Sequence, residues 1–434
     1  MVAINATHDP KLTSWVASAQ AAGTDFPIQN LPHGVFSTGG DAPRGGVAIG
    51  DQILDMKAAV AAGLFPGATA DAAEAASEPT LNRLMGLDPK AVSALRARLS
   101  EILKTGSADQ GKAQAALVPM AEATLHMPAH VRAFTDYMTS AYHVAAGRPG
   151  RPERPLQEVF KYLPIAYNSR ASSIMPSGRK VERPHGQFPT PDGVIFGPSR
   201  ALDFELEFAF YVSKGNALGQ PVKLDDAHDH IFGYCLLNDW SARDIQRWES
   251  VLGPFQAKAF RSCVSSWVVT AEALAPFRVA APERAEGDPA PLPHMDSAKD
   301  RKDGHLAVKL DAFIRSAKMR AAGTAPHRVT DSHFKYSYWT FGQMLVHHAV
   351  GGCNLETGDI ISSGTVSGPG VENAACMAEI TGGSVPVTLP GGETRLWLQD
   401  GDEVIFKGRA EREGYVSIGF GDCAGEIAPP VKYL

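Results

Sequence analysis

The run Ile231-Phe232-Gly233-Tyr234-Cys235-Leu236-Leu237 carries no charge and is followed at once by Asn238-Asp239-Trp240. A short apolar run of this kind reads as a buried strand, so Asp239 stands at the end of a rigid element, where a site residue belongs. The stretch Leu202-Asp203-Phe204-Glu205-Leu206-Glu207 reads as a second strand. Successive side chains on a strand point to opposite faces, which puts Glu205 and Glu207 on one face with Cα atoms roughly 7 Å apart. Two carboxylates held that way repel each other unless a cation or protons intervene. Taken alone, Glu-x-Glu is equally the solvent face of an amphipathic strand. Its continuation does not support that reading, because Ala209 and Tyr211 follow on the same face while Phe204, Leu206, Phe208 and Phe210 share the other. With Asp239 they make three oxygen donors, a set suited to a hard cation such as calcium or magnesium rather than zinc.

The chain has 434 residues, enough for two domains and a large core. A formal charge of −6 and the absence of a Lys/Arg run argue against nucleic acid as the main partner. No apolar stretch is long enough to cross a bilayer, and Met1-Val2-Ala3-Ile4-Asn5-Ala6 lacks the basic and apolar segments of a signal peptide. Five widely spaced cysteines without a Cys-x-x-Cys predict reduced thiols in a cytoplasmic protein.

Along the chain, Gly46–Ile49 and Gln52–Asp55 predict a hairpin turning at Gly50-Asp51. Helices are expected from Met56 to Ala62, stopped by Gly63, from Lys90 to Lys104, and from Phe334 to Val350, stopped by Gly351-Gly352. Further strands are expected at Ser265–Ala271, Ala307–Ile314, Asp359–Ile361, Ala378–Ile380 and Glu403–Phe406. Val279–Gly304 reads as an exposed excursion rich in Pro, Ala and charge. No phosphate loop, strand–Gly-x-Gly-x-x-Gly–helix unit or Gly-x-Ser-x-Gly elbow is present.

Other candidates for chemistry are individually ambiguous. Asp136 lies seven residues before His143; the first is as readily a cap as a ligand, and the second, with an ordinary pKa near ~6.5, is either a general base or a structural histidine. The pairs His228/His230 and His347/His348 are poor zinc signals. Arg170 is an anion site or a simple ion pair; Lys258 is an oxyanion donor or a surface charge.

The residues together resemble the fumarylacetoacetase family over nearly the whole chain. Asp25-Phe26-Pro27-Ile28-Gln29-Asn30-Leu31-Pro32 with Gly34-Val35-Phe36-Ser37-Thr38 is similar to the family's N-terminal barrel signature. Arg170-Ala171-Ser172-Ser173, Leu206-Glu207, Asn238-Asp239-Trp240-Ser241-Ala242-Arg243-Asp244-Ile245-Gln246 and Ser363-Gly364-Thr365-Val366-Ser367-Gly368-Pro369 follow in family order. The resemblance implies a mainly β protein: an N-terminal SH3-like barrel domain with surface helices over residues 1–125 and a mixed β-roll catalytic domain over 126–434. It implies Ca2+ or Mg2+ on Asp136, Glu205, Glu207 and Asp239, with a second, structural cation at Asp239, Lys258 and Ser262. His143 matches the general base, Glu379 and Arg243 its relay, Gln246 and Lys258 the oxyanion donors, and Tyr167 and Thr365 substrate contacts. The implied reaction is hydrolysis of the carbon–carbon bond of a 1,3-diketone, with a homodimer as the assembled form.

Three positions depart from the family pattern. Met138 and Ser250 stand where the family has substrate-binding tyrosines, and the family's arginine after the histidine has only Arg148, Arg151 or Arg154 as replacements. Each lost hydrogen bond to a charged substrate group is worth about 1.5–3 kcal/mol. The expectations are therefore a hydrolase of fumarylacetoacetate or of another, acylpyruvate-like diketo acid. A lyase, hydratase or decarboxylase on the same scaffold and a metal-binding protein without activity are the rival readings, and His143, Glu379, Lys258 and Gln246 together argue against the last.

Overall fold

A computed structural model describes residues 3–145 and 153–433. The fold is mainly β and is built around one strand pair. Leu206–Val212 runs antiparallel to Ile231–Asp239, and every residue of both strands is buried. Leu206, Phe208, Phe210 and Val212 enter a core shared with Phe334, Phe341, Phe406 and Phe420. Ala209 and Tyr211, with Phe232, Cys235 and Leu237, enter a second core made chiefly by residues 16–134. The period-2 alternation thus has an apolar partner on both sides, and the pair reads as near-continuous hydrophobic sequence for that reason.

These strands lie in an eight-stranded mixed sheet that also holds Phe134–Met138, Ile165–Ser169, Ser262–Val264 and Ile360–Ser362. A six-stranded sheet centred on Val308–Arg315 and Glu403–Ala410 closes the first core. At the N-terminal end, His33–Ser37, Arg44–Ile49 and Gln52–Asp55 form a meander, extended by Leu117–Pro119 on one edge and Thr124–Leu125 on the other. The expected hairpin is present. Gly50 turns it at φ +58°, and a Cβ there would lie 2.5 Å from the Ala19 backbone nitrogen. The helix Pro89–Leu103, capped by Asp88, buries Leu95, Leu99, Ile102 and Leu103 as its spacing predicts.

Several expectations change. Ala378–Ile380 is not a strand but part of the helical turn Met377–Ile380, because the backbone N–H groups of Met377 and Ala378 are bound by the distant Asp203 carboxylate. The strand expected over 202–207 breaks after Leu202–Asp203 and resumes at Leu206; in the gap the Glu205 N–H donates to the Asn238 side chain instead of a ladder carbonyl. Of Ser265–Ala271 only Val269–Thr270 is strand. Phe334–Val350 divides into the 3-10 turn Phe334–Tyr336 and the helix Phe341–Ala349, which Thr340 and Gln343 cap reciprocally. The 279–304 excursion contains the helix Ala298–Asp303, whose Asp300 is buried.

Candidate active site

Sheet register assembles the acidic residues. Asp136 pairs with Tyr167 on one neighbouring strand and with Ser362 on the other. Glu207 sits two residues before Ala209, the partner of Ser362, and Asp239 ends its strand opposite Ser262. Ligand oxygens of Asp136, Glu205, Glu207 and Asp239 consequently lie within 4.8 Å of one another, and all four residues are buried.

Charge at this cluster is unevenly compensated. The Lys258 ammonium lies 2.5 Å from Glu205 Oε2 and 3.0 Å from Asp239 Oδ2, and Arg243 Nη1 lies 2.7 Å from Glu205 Oε1. Burial by itself would raise the Glu205 pKa, but Lys258 and Arg243 outweigh it and hold the carboxyl below its ordinary range. Burial likewise opposes the Lys258 charge, yet Asp239 and Glu205 hold the ammonium above its usual value. Asp136 and Glu207 have no ion-pair partner among the described residues. Burial first, then repulsion from Asp239 and Asp136 respectively, pushes both well above the carboxylate range. Asp136 Oδ1 and Glu207 Oε1 are buried without a hydrogen-bond partner among the described residues.

Two orphaned carboxylate oxygens inside an all-oxygen cluster fit a hard divalent cation, which would supply the missing charge and ligation. The expected second cation position, at Asp239, Lys258 and Ser262, carries protein contacts as well. There the Lys258 ammonium and the Ser262 hydroxyl, 2.7 Å from Asp239 Oδ1, bond to Asp239, while burial still holds its carboxyl above the ordinary range.

A second group adjoins the first. His143 Nδ1 stands 3.3 Å from Glu379 Oε2, without hydrogen-bond alignment, and His143 is near enough to Glu205 to affect its charge. Catalytic hydrogen bonds are often loose before substrate binds. Cys376 joins this pair, its thiol 3.4 Å from the same Glu379 oxygen. An imidazole whose Nδ1 carries the proton keeps Nε2 as a proton acceptor.

Arg243 donates to Asp203 Oδ2 at 2.8 Å and to Gln246 Oε1 at 3.0 Å. It connects to Glu379 through Asp203, which holds the first N–H groups of the Glu379 helix. Accepting from Arg243 orients the Gln246 amide so that its Nε2 donors face away. The Tyr167 hydroxyl donates to Asp239 at 3.2 Å. Thr365 is buried with its hydroxyl unpartnered. It is held close to the end of the Asp136 strand by Gly364, at φ +71°, where a Cβ would lie 1.8 Å from the Tyr137 carbonyl oxygen.

Met138 is 37% exposed and Ser250 caps the far end of the helix Arg243–Glu249. Arg154 is exposed, while Arg148 and Arg151 lie outside the described residues. His228 pairs with Asp300, and His347 and His348 turn to Tyr137 and Thr135, so none of these joins the carboxylates.

Sequence reasoning passed over Asp203, although the alternation that pairs Glu205 with Glu207 also includes it. Ser362, which donates to Glu207, and Ser367, which donates to Glu379, gave no local signal.

Comparisons with known proteins agree with this picture. The chain matches the family model described as Fumarylacetoacetase N-terminal over residues 29–128 and that described as Fumarylacetoacetate (FAA) hydrolase C-terminal over residues 132–428. It is 44% identical over 421 residues to fumarylacetoacetase from Homo sapiens, spanning 94% of this chain and 97% of that protein. It is also 44% identical over 419 residues to the Caenorhabditis elegans fumarylacetoacetase, spanning 94% and 97%. Among solved structures it resembles the fumarylacetoacetate hydrolase of Exiguobacterium antarcticum, with a TM-score of 0.51 and 14% identity over 92% of this chain and 99% of that one, a likeness of fold alone. On the two family models and the near full-length relatives, the chain belongs to the fumarylacetoacetase family.

Proposed function

We propose that this protein is an enzyme that hydrolyses fumarylacetoacetate to fumarate and acetoacetate, in the breakdown of tyrosine and phenylalanine. The observation that carries the reading is the His143–Glu379 pair beside a buried four-carboxylate cluster, in a chain similar to fumarylacetoacetases over nearly its full length. Cleaving the carbon–carbon bond of a 1,3-diketone needs an activated water, a home for the tetrahedral oxyanion, and a stabilised leaving carbanion. His143, oriented by Glu379, takes a proton from water as the water oxygen attacks the carbonyl carbon, and returns it to the departing carbon when the tetrahedral oxyanion collapses and the carbon–carbon bond breaks. Gln246 Nε2 and the Lys258 ammonium receive the charge that develops on that carbonyl oxygen. When bound by Asp136, Glu205, Glu207 and Asp239, calcium or magnesium supplies Lewis acidity toward the diketone. Arg243 holds Glu205 and Gln246 in register, Ser262 steadies Asp239, and Tyr167 and Thr365 line the substrate side.

Residues 1–125 are read as an SH3-like barrel domain and 126–434 as the catalytic β-roll. In support, the two edge strands of the N-terminal sheet, Leu117–Pro119 and Thr124–Leu125, are separated by only one 3-10 turn, Met120–Glu122, which draws the edges together. Trp248, Val251, Leu252 and Phe255 are exposed next to Gln246 and Ser250, and a second copy of the chain would cover them in a homodimer. Five free cysteines, four of them buried, suit the reducing cytoplasm.

Loss of diketone absorbance tests the substrate, with magnesium or calcium and then with a chelator. Metal-dependent cleavage of fumarylacetoacetate over other acylpyruvates is expected. Preference for a different diketo acid would keep the chemistry and move the specificity, because Met138 and Ser250 bring no phenol to the substrate's ends. Elimination or hydration without hydrolysis would overturn the reaction itself.

A further inference from the structure

A glutamate side chain has three rotatable bonds, so its nearness to His143 does not by itself hold it there. The Ser367 hydroxyl donates to Glu379 Oε2, the oxygen facing His143. The Ala375 N–H donates to Ser367 Oγ at 3.2 Å, which occupies the hydroxyl as an acceptor and directs its own proton to the carboxylate. The Ser367 carbonyl accepts from the Ser140 hydroxyl at 2.6 Å, and Ser140 Oγ accepts the backbone N–H of His143 at 3.1 Å. Ser140, Ser367 and Glu379 are all nearly inaccessible, at 1%, 0% and 2% exposure. One small frame therefore grips both halves of the pair, the glutamate through its carboxylate and the histidine through its helix.

We infer that Ser367 is a positioning residue for the general base, fixing the Glu379 rotamer directly and the His143 backbone through Ser140. The inference rests on the reading of His143 and Glu379 as the water-activating pair. Without the hydroxyl, Glu379 Oε2 loses its oxygen donor, and the Cys376 thiol at 3.4 Å is a weaker one. Misplacement of a catalytic group on this scale costs turnover and leaves substrate binding largely alone.

The test is a double-mutant cycle in the full-length, magnesium-loaded protein with fumarylacetoacetate as the probe. Ser367→Ala is expected to lower kcat by about 10- to 100-fold with KM changed less than about threefold. In the Glu379→Gln background the same change should cost less than about threefold, because the group it positions is already altered. If Ser367→Ala fails to fold by circular dichroism, Ser367→Cys, which puts a weaker donor at the same position, is carried through the same cycle. Equal losses from the serine change in both backgrounds, or a single variant with native kcat, would overturn the inference while leaving the pair's role intact. Full activity in Glu379→Gln alone would sink the reading of the pair and this inference with it.

Discussion

His143 Nδ1 lies 3.3 Å from Glu379, a carboxylate that is 2% exposed, which supports the proposed role of the imidazole as acceptor of a proton from water. His143→Ala should therefore lower kcat by about 10²- to 10⁴-fold, with metal content by elemental analysis unchanged; near-native turnover would remove it from the mechanism. Another histidine controls stability instead. His305 is fully buried against Phe334, with ring centroids 4.4 Å apart, and burial lowers its pKa to about 3. The folded protein thus refuses a proton that the unfolded chain binds near pH ~6.5. Stability from this residue is complete above that pH and declines as pH falls toward 3. Between pH 7 and 4.5 the loss is about 2–3 kcal/mol, from the roughly two units below pH ~6.5. His305→Leu should flatten that part of the decline in urea titrations at the two pH values, and an unchanged slope would mean the proton is taken up elsewhere.

At the scale of elements, the Glu379 helix is only four residues long, Met377–Ile380. Such a turn has no cooperative stability of its own. Asp203 supplies it by accepting from Met377 and Ala378 at 2.6 and 3.0 Å while also holding Arg243. Asp203→Asn removes the charge that suits both partners. It should destabilise the protein by about 3–5 kcal/mol, the cost of breaking a buried pair, and lower kcat, measured by calorimetry and steady-state kinetics. The loop Ser363-Gly364-Thr365 depends on its glycine. Gly364→Ala would drive a Cβ into the Tyr137 carbonyl, so it should raise KM by displacing Thr365. Unchanged KM with a well-folded variant would show that Thr365 makes no substrate contact.

For the whole molecule, Asp136, Glu207 and Asp239 from three strands and Glu205 from the break before one of them meet in one buried cluster, so the proposed cation site is tied to folding. A chelator should abolish activity and lower stability by roughly 3–4 kcal/mol relative to protein with metal at 100 to 1,000 times its dissociation constant. An identical melt with and without chelator would argue that the cluster folds as protonated carboxyls. Much of this architecture was legible beforehand. The alternation over 206–211, the apolar run 231–237 and the 50–51 turn are local patterns, and each determined its element: the alternation sends residues to two faces, the run leaves nothing polar to expose, and Gly50 permits the turn. Glu205, Glu207 and Asp239 were legible as candidates by the same logic, Asp136 and His143 only as ambiguous ones that the resemblance resolved, and Glu379 became a candidate only through resemblance. The break at 204–205, the helical Met377–Ile380 and the clamp at Asp203 could not be read, since each depends on a hydrogen bond between residues far apart in sequence. The sequence by itself determined which strands are buried and where carboxylates must end up among them. Only the tertiary structure decided which of those charges are neutralised by Lys258 and Arg243 and which are left for a cation, because pairing at that range is set by sheet register and not by neighbours along the chain.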